Sequence, residues 1–193
     1  MGTPDTGPSA VKAEARQQAR ARRRSGPSPD PVLLARRAHD LVMGFPGARR
    51  VTCYASYGTE PSTDAMRSML DASGFEVLLP RVAGDRLEWV LDEGATTMSS
   101  MGIEEPTGPA VSLLPARALL IPALAVTALG DRLGKGGGFY DRVLAELGDD
   151  RPEVIAVVGD ADVVEHVPSQ EHDQRVDWIV TPTRVIECRG AHG

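Results

Sequence analysis

The run "RVTCYASYGTEPSTDAMRSMLDASGFEVLLP", residues 50–80, decides the fold. Its first part, "RVTCYASY" at 50–57, is β-branched and aromatic and reads as a strand ending at Gly58. "STDAMRSMLDASG" at 62–74 reads as a short helix, with Ser62 or Thr63 as its N-cap and Gly74 at its C-terminal end. "FEVLLP" at 75–80 is a second strand. Strand, helix and strand in so short a span form a β-α-β unit, which implies a right-handed crossover within a parallel sheet.

The same alternation continues outward. "RLEWVL" at 86–91 is a further strand, with Trp89 in the core, and residues 92–117, rich in Gly, Pro, Ser and Thr, read as a long loop. "ALLIPALAV" at 118–126 is apolar throughout, as one strand covered on both faces would be. A helix over 139–147, a buried strand "EVIAVVG" at 153–159, and strands in "DWIVTP" (with Trp178 as core) and "RVIEC" complete the pattern. Upstream, "AVKAEARQQARARRR" at 10–24 has no breaker and reads as a helix that gathers Lys12, Arg16, Arg20 and Arg23 or Arg24 on one face. "SGPSPDP" ends it, and "VLLARRAHDLVMGF" forms a second helix with Val32, Leu33, Ala35, Leu41 and Val42 at near-helical spacing. The expectation is an α/β fold, a single three-layer α/β/α domain over 10–193 with a mostly parallel or mixed central sheet, preceded by a disordered tail at 1–9.

Charge and composition narrow the function. The chain has 193 residues and a net charge of -6. Residues 1–24 carry six cations against Asp5 and Glu14, a balance of +4, so the remainder carries -10. That excludes a globally basic nucleic-acid binder and leaves a local basic arm for an anionic ligand, with Arg20–Arg24 as a weak nucleic-acid alternative. Cys53 and Cys188 have no paired spacing and read as thiols of a reducing compartment. No apolar run reaches membrane length, and although Gly2 with Thr6 matches a loose myristoylation pattern, the expectation is a cytoplasmic monomer with no membrane and no nucleic acid as partner.

The chemistry concentrates in "RLGKGGGFYDR", residues 132–142. It follows a buried strand and opens a helix, the place where open α/β sheets bind ligands and where helix N–H groups are free. Glycines let amides approach an anion without a Cβ in the way, Arg132 and Lys135 supply cations, and Asp141 offers a hard oxygen to Mg2+. The P-loop spacing is absent, since three residues lie between Gly130 and Gly134 and Lys135 is followed by Gly136; the dinucleotide pattern is absent as well. A mobile turn is the bland alternative, and the clustered charges argue against it.

"ALLIPALAVTALGDRLGKGGGFYDRVL" at 118–144 resembles the signature of the 5-formyltetrahydrofolate cyclo-ligase family, also called 5,10-methenyltetrahydrofolate synthetase. The resemblance extends over nearly the whole chain, through Lys12 and Arg16, "YASYGTE" with Glu60, "LLPRV" at 78–82, "GIEEP" at 102–106 and "VPSQEHDQRVDWIVT" at 167–181. It implies ring closure of 5-formyltetrahydrofolate to 5,10-methenyltetrahydrofolate, with ATP and Mg2+ consumed or required and ADP and phosphate released. It implies that the formyl oxygen attacks the γ-phosphate and that N10 then closes on the activated carbon. Phosphoryl transfer of this kind asks for alignment and charge neutralisation rather than a protein nucleophile.

Carried over by motif, the resemblance places Arg132 and Lys135 in catalysis. It puts Lys12, Arg16, Arg132, Gly134, Lys135, Gly136, Gly137, Gly138, Phe139 and Tyr140 on ATP, and Ala55, Glu60, Lys135 and Phe139 on the reduced folate. Asp141 and Asp173 match the metal-binding acids; His172 is left out, as lone histidines seldom ligate. Two departures stand: Thr127 occupies the family's Asp position, with Val126 for an aromatic, and Phe139 replaces the first Tyr of Y-Y-D. Thr127 keeps open an alternative, a non-catalytic nucleotide- or folate-binding relative acting as a regulatory or partner module. A sugar-phosphate isomerase or CoA transferase on a similar scaffold would need other site acids.

Overall fold

The structure is a computed structural model that describes residues 7–99, 102 and 104–188, the side chain of Asp150 excepted. Helix α1 (Pro8–Ser25) starts earlier than the sequence implied, because Pro8 sits at a first-turn position where its missing N–H costs nothing. Pro8 and Ser9 are therefore helical and Gly7 is the N-cap, whereas residues 1–6 of the expected tail, the Gly2–Thr6 pattern included, lie outside the described residues.

Helix α2 (Pro31–Gly44) is held at its start by Asp30, whose Oδ1 accepts from Val32 N at 2.9 Å and Leu33 N at 3.0 Å. Its buried stripe is Leu34, Ala35, Ala38 and Val42, one turn apart along the helix, and Val32 and Leu33 face outward. Of the expected stripe, Ala35 and Val42 are buried and Leu41 packs against the core, whereas Val32 and Leu33 are exposed because they lie in the capped first turn.

Strands β1 (Arg50–Thr52) and β2 (Glu76–Ala83) are parallel and joined by helix α3 (Asp64–Ala72), as the β-α-β reading requires. β1 is much shorter than expected. The Tyr54 carbonyl is taken by the Thr63 hydroxyl instead of a neighbouring strand, so the chain rises off the sheet into a loop. Thr63 is the N-cap residue, yet its hydroxyl is committed to Tyr54 and caps nothing.

β3 (Arg86–Leu91) folds back on β2 antiparallel through a turn at Gly84. The expected loop at 92–117 contains a small antiparallel hairpin, β4 (Thr96–Met98) with β5 (Glu104–Pro106). The apolar run at 118–126 is two strands. β6 (Ala118–Pro122) ends at Pro122, which has no N–H to donate, and the chain turns into a ribbon of β7 (Ala125–Val126) and β8 (Arg132–Leu133). Helix α4 (Phe139–Leu147), β9 (Glu153–Val157), β10 (Trp178–Val180) and β11 (Val185–Glu187) follow where the sequence placed them.

The main sheet runs β11-β10-β9-β6-β1-β2-β3. Its five central strands are parallel and its two edge strands antiparallel, so it is mixed. Side chains alternate across it: Ala118, Leu120, Ile155 and Val157 join α2 and α3 in one core, while Leu119, Ile121, Val154 and Ala156 join α4 in another. That two-sided cover explains why β6 has no polar residue. Each fully buried Leu or Ile there contributes roughly 1.5–3 kcal/mol. Cys53 lies in the first core, and burial pushes its thiol up to about 12. Trp89 is buried and Trp178 packs on Phe45 with ring centroids 5.6 Å apart, both core as expected. Among the described residues no helix is long and apolar enough to cross a membrane.

Candidate functional site

From β1 the chain crosses to β2 on one side, and from β6 it crosses to β9 on the other. The loops leaving the carboxyl ends of β1 and β6 therefore part company there, and such a switch point opens a crevice in an open sheet. Residues 53–63 come from the first loop and residues 123–138 from the second. Helix α1 lies across the same edge, since Ala19 is buried with Leu124, Ala125 and Leu133 of the β7–β8 ribbon. This packing brings Lys12 and Arg16 to the glycine loop.

A cavity of about 510 Å³ opens there. Lys12, Arg16, Arg132, Gly134 to Gly138, Lys135, Phe139, Tyr140, Asp141 and Asp173 all line it, although the chain distance from Lys12 to Asp173 is 161 residues. Lys12 Nζ donates to both Asp173 oxygens, at 2.8 and 2.6 Å. Arg16 Nε donates to the Gly134 carbonyl at 3.0 Å. Arg132 Nη2 donates to Asp141 Oδ1 at 2.7 Å, and its Nε has no hydrogen-bond partner. Gly136 and Gly138 have φ of +114° and +65°, a backbone that L side chains rarely adopt. Gly138 is also the N-cap of α4 and brings no side-chain cap, so the first amides of the helix are left for a ligand.

Glu60 lies outside this cavity but is tied to it. Its carboxylate, with a side chain only 4% exposed, pairs with Lys135 Nζ at 2.6 Å and accepts from Tyr57 N at 2.9 Å. The Lys135 ammonium sits 3.3 Å from the centroid of the Tyr57 ring, a cation–π contact. Glu60 also lines a second, larger cavity of about 770 Å³, bounded by the last turn of α1 and by residues 58–62 and 159–162. The Glu60–Lys135 pair thus stands at the junction of the two cavities.

Electrostatics set the state of these groups. Burial works to raise the Asp173 carboxyl, yet hydrogen bonds from Lys12 and Gln170 N, with the Lys12 charge, outweigh it and hold Asp173 below the usual carboxylate range. Burial pushes the Tyr140 phenol well up, and the Glu60 charge adds to that; Tyr54 is raised for the same two reasons. Both phenols are hydrogen-bond donors at neutral pH.

The family model for 5-formyltetrahydrofolate cyclo-ligases matches residues 8–182. The chain belongs to that family. It is a family of enzymes, and of ligases. A 5-formyltetrahydrofolate cyclo-ligase from Mycolicibacterium smegmatis is 36% identical over 148 residues, which cover 72% of this chain and 76% of the relative. One from Escherichia coli K12 is 29% identical over 179 residues, covering 87% and 98%. The fold matches the 5,10-methenyltetrahydrofolate synthetase of Aquifex aeolicus with a TM-score of 0.75 at 23% identity, over 95% of both chains. It matches the Mycoplasma pneumoniae synthetase with a TM-score of 0.70 at 18% identity, over 88% of this chain and 97% of that one.

For this cyclo-ligase family member, the structure brings together every residue named in advance except two. Glu60 joins through Lys135, and Ala55, half-buried on the β1 loop, lines neither cavity. Thr127 is buried in the turn of the β7–β8 ribbon, where its hydroxyl accepts from Asp131 N at 3.2 Å; it too lines neither cavity. His172 lines the first cavity with an exposed ring, 3.9 Å from Asp173. The sequence reading passed over Arg142, which lines the cavity, holds the Gly137 carbonyl at 3.0 Å and covers the Phe139 ring at 5.1 Å. A signal existed, since Arg142 closes the quoted glycine motif. Tyr57 and Gln174, whose N–H donates to Asp141 at 3.2 Å, carried none.

Proposed function

We propose that the chain closes 5-formyltetrahydrofolate to 5,10-methenyltetrahydrofolate at the expense of ATP, releasing ADP and phosphate. The observation that carries the reading is convergence. Five cations (Lys12, Arg16, Arg132, Lys135 and Arg142), a run of bare amides and two carboxylates from α1, the glycine loop, the start of α4 and residues 167–181 meet in one cavity at the sheet's switch point. Phosphoryl transfer needs that set and little else.

In this reading the triphosphate lies along the glycine loop. Amides of Gly134 to Gly138 and the start of α4 hold it, with Lys12, Arg16 and Arg132 balancing its charge and Phe139 and Tyr140 bounding it. Arg132 and Lys135 neutralise charge that develops as the formyl oxygen bonds to the γ-phosphorus and the bond to ADP breaks. N10 then attacks the activated carbon, loses its proton to water, and phosphate leaves with the former formyl oxygen. Glu60 takes the hydrogen-bond donors of the pterin, with Ala55 and Phe139 beside it. Lys135, at the junction of the cavities, is the group able to touch both substrates.

Asp141 and Asp173 suit Mg2+, because one or two carboxylates together with phosphate oxygens are its usual set. When bound, the metal neutralises charge across the phosphate oxygens. Thr127 takes no group away from either cavity, which supports turnover over the reading as a non-catalytic module. We place the enzyme in the cytoplasm as a monomer acting on small molecules, with neither nucleic acid nor membrane as partner.

The test is spectrophotometric. Protein with ATP, Mg2+ and 5-formyltetrahydrofolate is expected to build up the ultraviolet absorbance of the methenyl product, and omission of ATP to abolish it. No product at high enzyme concentration refutes the reading.

A further inference from the structure

Guanidinium groups anchor the glycine loop at both ends. Arg16 Nε, from α1, donates to the Gly134 carbonyl at 3.0 Å. At the far end Arg142 Nη2 donates to the Gly137 carbonyl at 3.0 Å, and the same side chain donates to the Asp85 carbonyl, from Nε at 3.1 Å and from Nη2 at 2.8 Å. Asp85 follows Gly84 in the turn from β2 to β3, 57 residues away along the chain. β2 pairs Leu78 with Thr52 of β1, so residues 79–83 run past the end of β1 and carry that turn out over the edge where the cavity lies. Leu78 and Leu79, both without exposure, root the strand in the sheet. The turn is a fixed point outside the loop.

Helix electrostatics would not by themselves put a cation there. Arg142 lies one turn into α4 and reaches back to the helix start, where the dipole disfavours positive charge. Two carbonyls and the face of the Phe139 ring, its centroid 5.1 Å from the guanidinium carbon, offset that. The fit is close: a Cβ on Gly138 would lie 3.0 Å from Arg142 Nη1, and one on Gly137 would lie 2.7 Å from the Phe139 ring. Those two glycines are bare where guanidinium and ring press on the loop. A trans peptide keeps its C=O and the next N–H in one plane, pointing opposite ways. Holding the Gly137 carbonyl therefore aims the Gly138 N–H, as Arg16 on the Gly134 carbonyl aims that of Lys135.

We propose that Arg142 is a positioning residue for the reaction. It ties the end of the glycine loop to the β2–β3 turn and covers Phe139, so that the loop amides stand fixed where the triphosphate arrives. Arg142 acts through the Gly137 carbonyl and the Phe139 ring, not by touching the phosphates. The inference rests on the ATP reading given above and goes past it by naming the group that holds the loop still. Glycine-rich backbone has the most freedom to lose, so a strut fixed to the sheet removes part of the ordering cost before ATP binds. A planar guanidinium suits the task, because one rigid fork meets two carbonyls and lies over a ring at once.

The experiment compares wild type with Arg142→Ala and Arg142→Lys in the full chain; the side chain is exposed, so neither change opens the core. Methenyl absorbance gives kcat and KM for ATP and for the folate, and calorimetry gives Kd for a non-hydrolysable ATP analogue with Mg2+. In Arg142→Ala, KM for ATP and Kd for the analogue are expected to rise roughly tenfold, the scale of one charge-assisted hydrogen bond, while KM for the folate moves far less. Loss of folded protein would lower the apparent kcat and leave KM and Kd in place. Arg142→Lys keeps the charge but cannot span both carbonyls, and is expected to recover only a small part. An unchanged KM for ATP in Arg142→Ala overturns the proposal, as does an equal rise in both KM values. Full recovery in Arg142→Lys also overturns it, since a point charge would then suffice. Turnover by wild type with both variants indifferent sinks this inference alone. Wild type that binds the analogue and forms no methenyl product sinks the proposed function, and the Kd comparison still decides the role of Arg142. Wild type that binds no nucleotide sinks both.

Discussion

The cavity under the glycine loop takes most of its wall from one contiguous run, residues 132–142; both of its carboxylates are paired, Asp141 with Arg132 and Asp173 with Lys12, while Arg16 and Arg142 hold backbone carbonyls. The larger cavity is assembled from the end of α1 and the linker after it, the β1 loop, the turn after β9 and Pro182 beyond β10, and it leaves nitrogens of Arg22 and Arg23 and one oxygen of Asp162 without hydrogen-bond partners. The first is a motif that folding merely points at a crevice. The second exists only because four distant segments end at one edge. A contiguous site is expected to fail sharply when one residue is changed, and a distributed one gradually.

The most severe test of that contrast is Arg132→Ala. It removes a 3% exposed guanidinium from the first cavity and leaves Asp141 without its cation. Turnover is expected to fall by about 10²–10³, the usual loss of an electrostatic transition-state group. Methenyl absorbance measures it and circular dichroism checks the fold; near-normal turnover in a folded variant would break the comparison.

Asp141→Asn comes next. The side chain keeps its shape and loses its charge, so at saturating ATP the expected outcome is a loss of at least about tenfold in kcat with a steeper need for Mg2+, since a hard cation prefers charged oxygen. An unchanged Mg2+ titration would show that Asp141 serves only Arg132.

Lys135 tests the junction. Lys135→Met leaves the Glu60 carboxylate buried without its cation, and Glu60→Gln leaves Lys135 with only the Tyr57 ring. Each change is expected to lower kcat/KM for the folate, and the double variant to be no worse than Lys135→Met, with a coupling of roughly 0.5–3 kcal/mol for groups in contact. Simple additivity in a double-mutant cycle would mean that the two cavities are read separately.

The smallest effect concerns stability. Asp173 is held below its ordinary value, so it stabilises the fold above the unfolded value of about 3.9. That contribution disappears as pH falls through the lower folded value. Lys12→Met is expected to shrink this acid-side contribution, leaving the part owed to Gln170 N, seen as urea midpoints that depend less on pH from neutrality down to about pH 2. The same pH dependence in variant and wild type would show that Lys12 does not hold Asp173 down.

How far the sequence could be read depends on how local each signal was. Helix α4 was bounded correctly, because the glycines before it and Gly148 after it are punctuation within the run itself. The β-α-β unit was legible for the same reason. β1 was read too long because the Tyr54 carbonyl finds its partner on Thr63, a pairing of side chain and backbone that leaves no periodic trace. Pro122 was a local signal for the break between β6 and β7, overridden in the reading by the apolar run around it.

The site divides similarly. Spacing within 132–142 and the family pattern singled out Arg132, Lys135 and Asp141, and all three line one cavity. Ala55, taken by position alone, lies beside the site and lines neither cavity.

By itself, then, the chain's order of residues determined an α/β sheet and a glycine loop flanked by cations and an acid. Both are built from neighbours, with apolar alternation and positive-φ glycines as their physical cause. Only the tertiary structure decided that Lys135 reaches Glu60, that Lys12 neutralises Asp173, and that Arg22 and Arg24 edge a second cavity. Those contacts depend on where separate strands end along one sheet edge, and that is set by the packing of α1 and by the switch point, not by spacing along the chain.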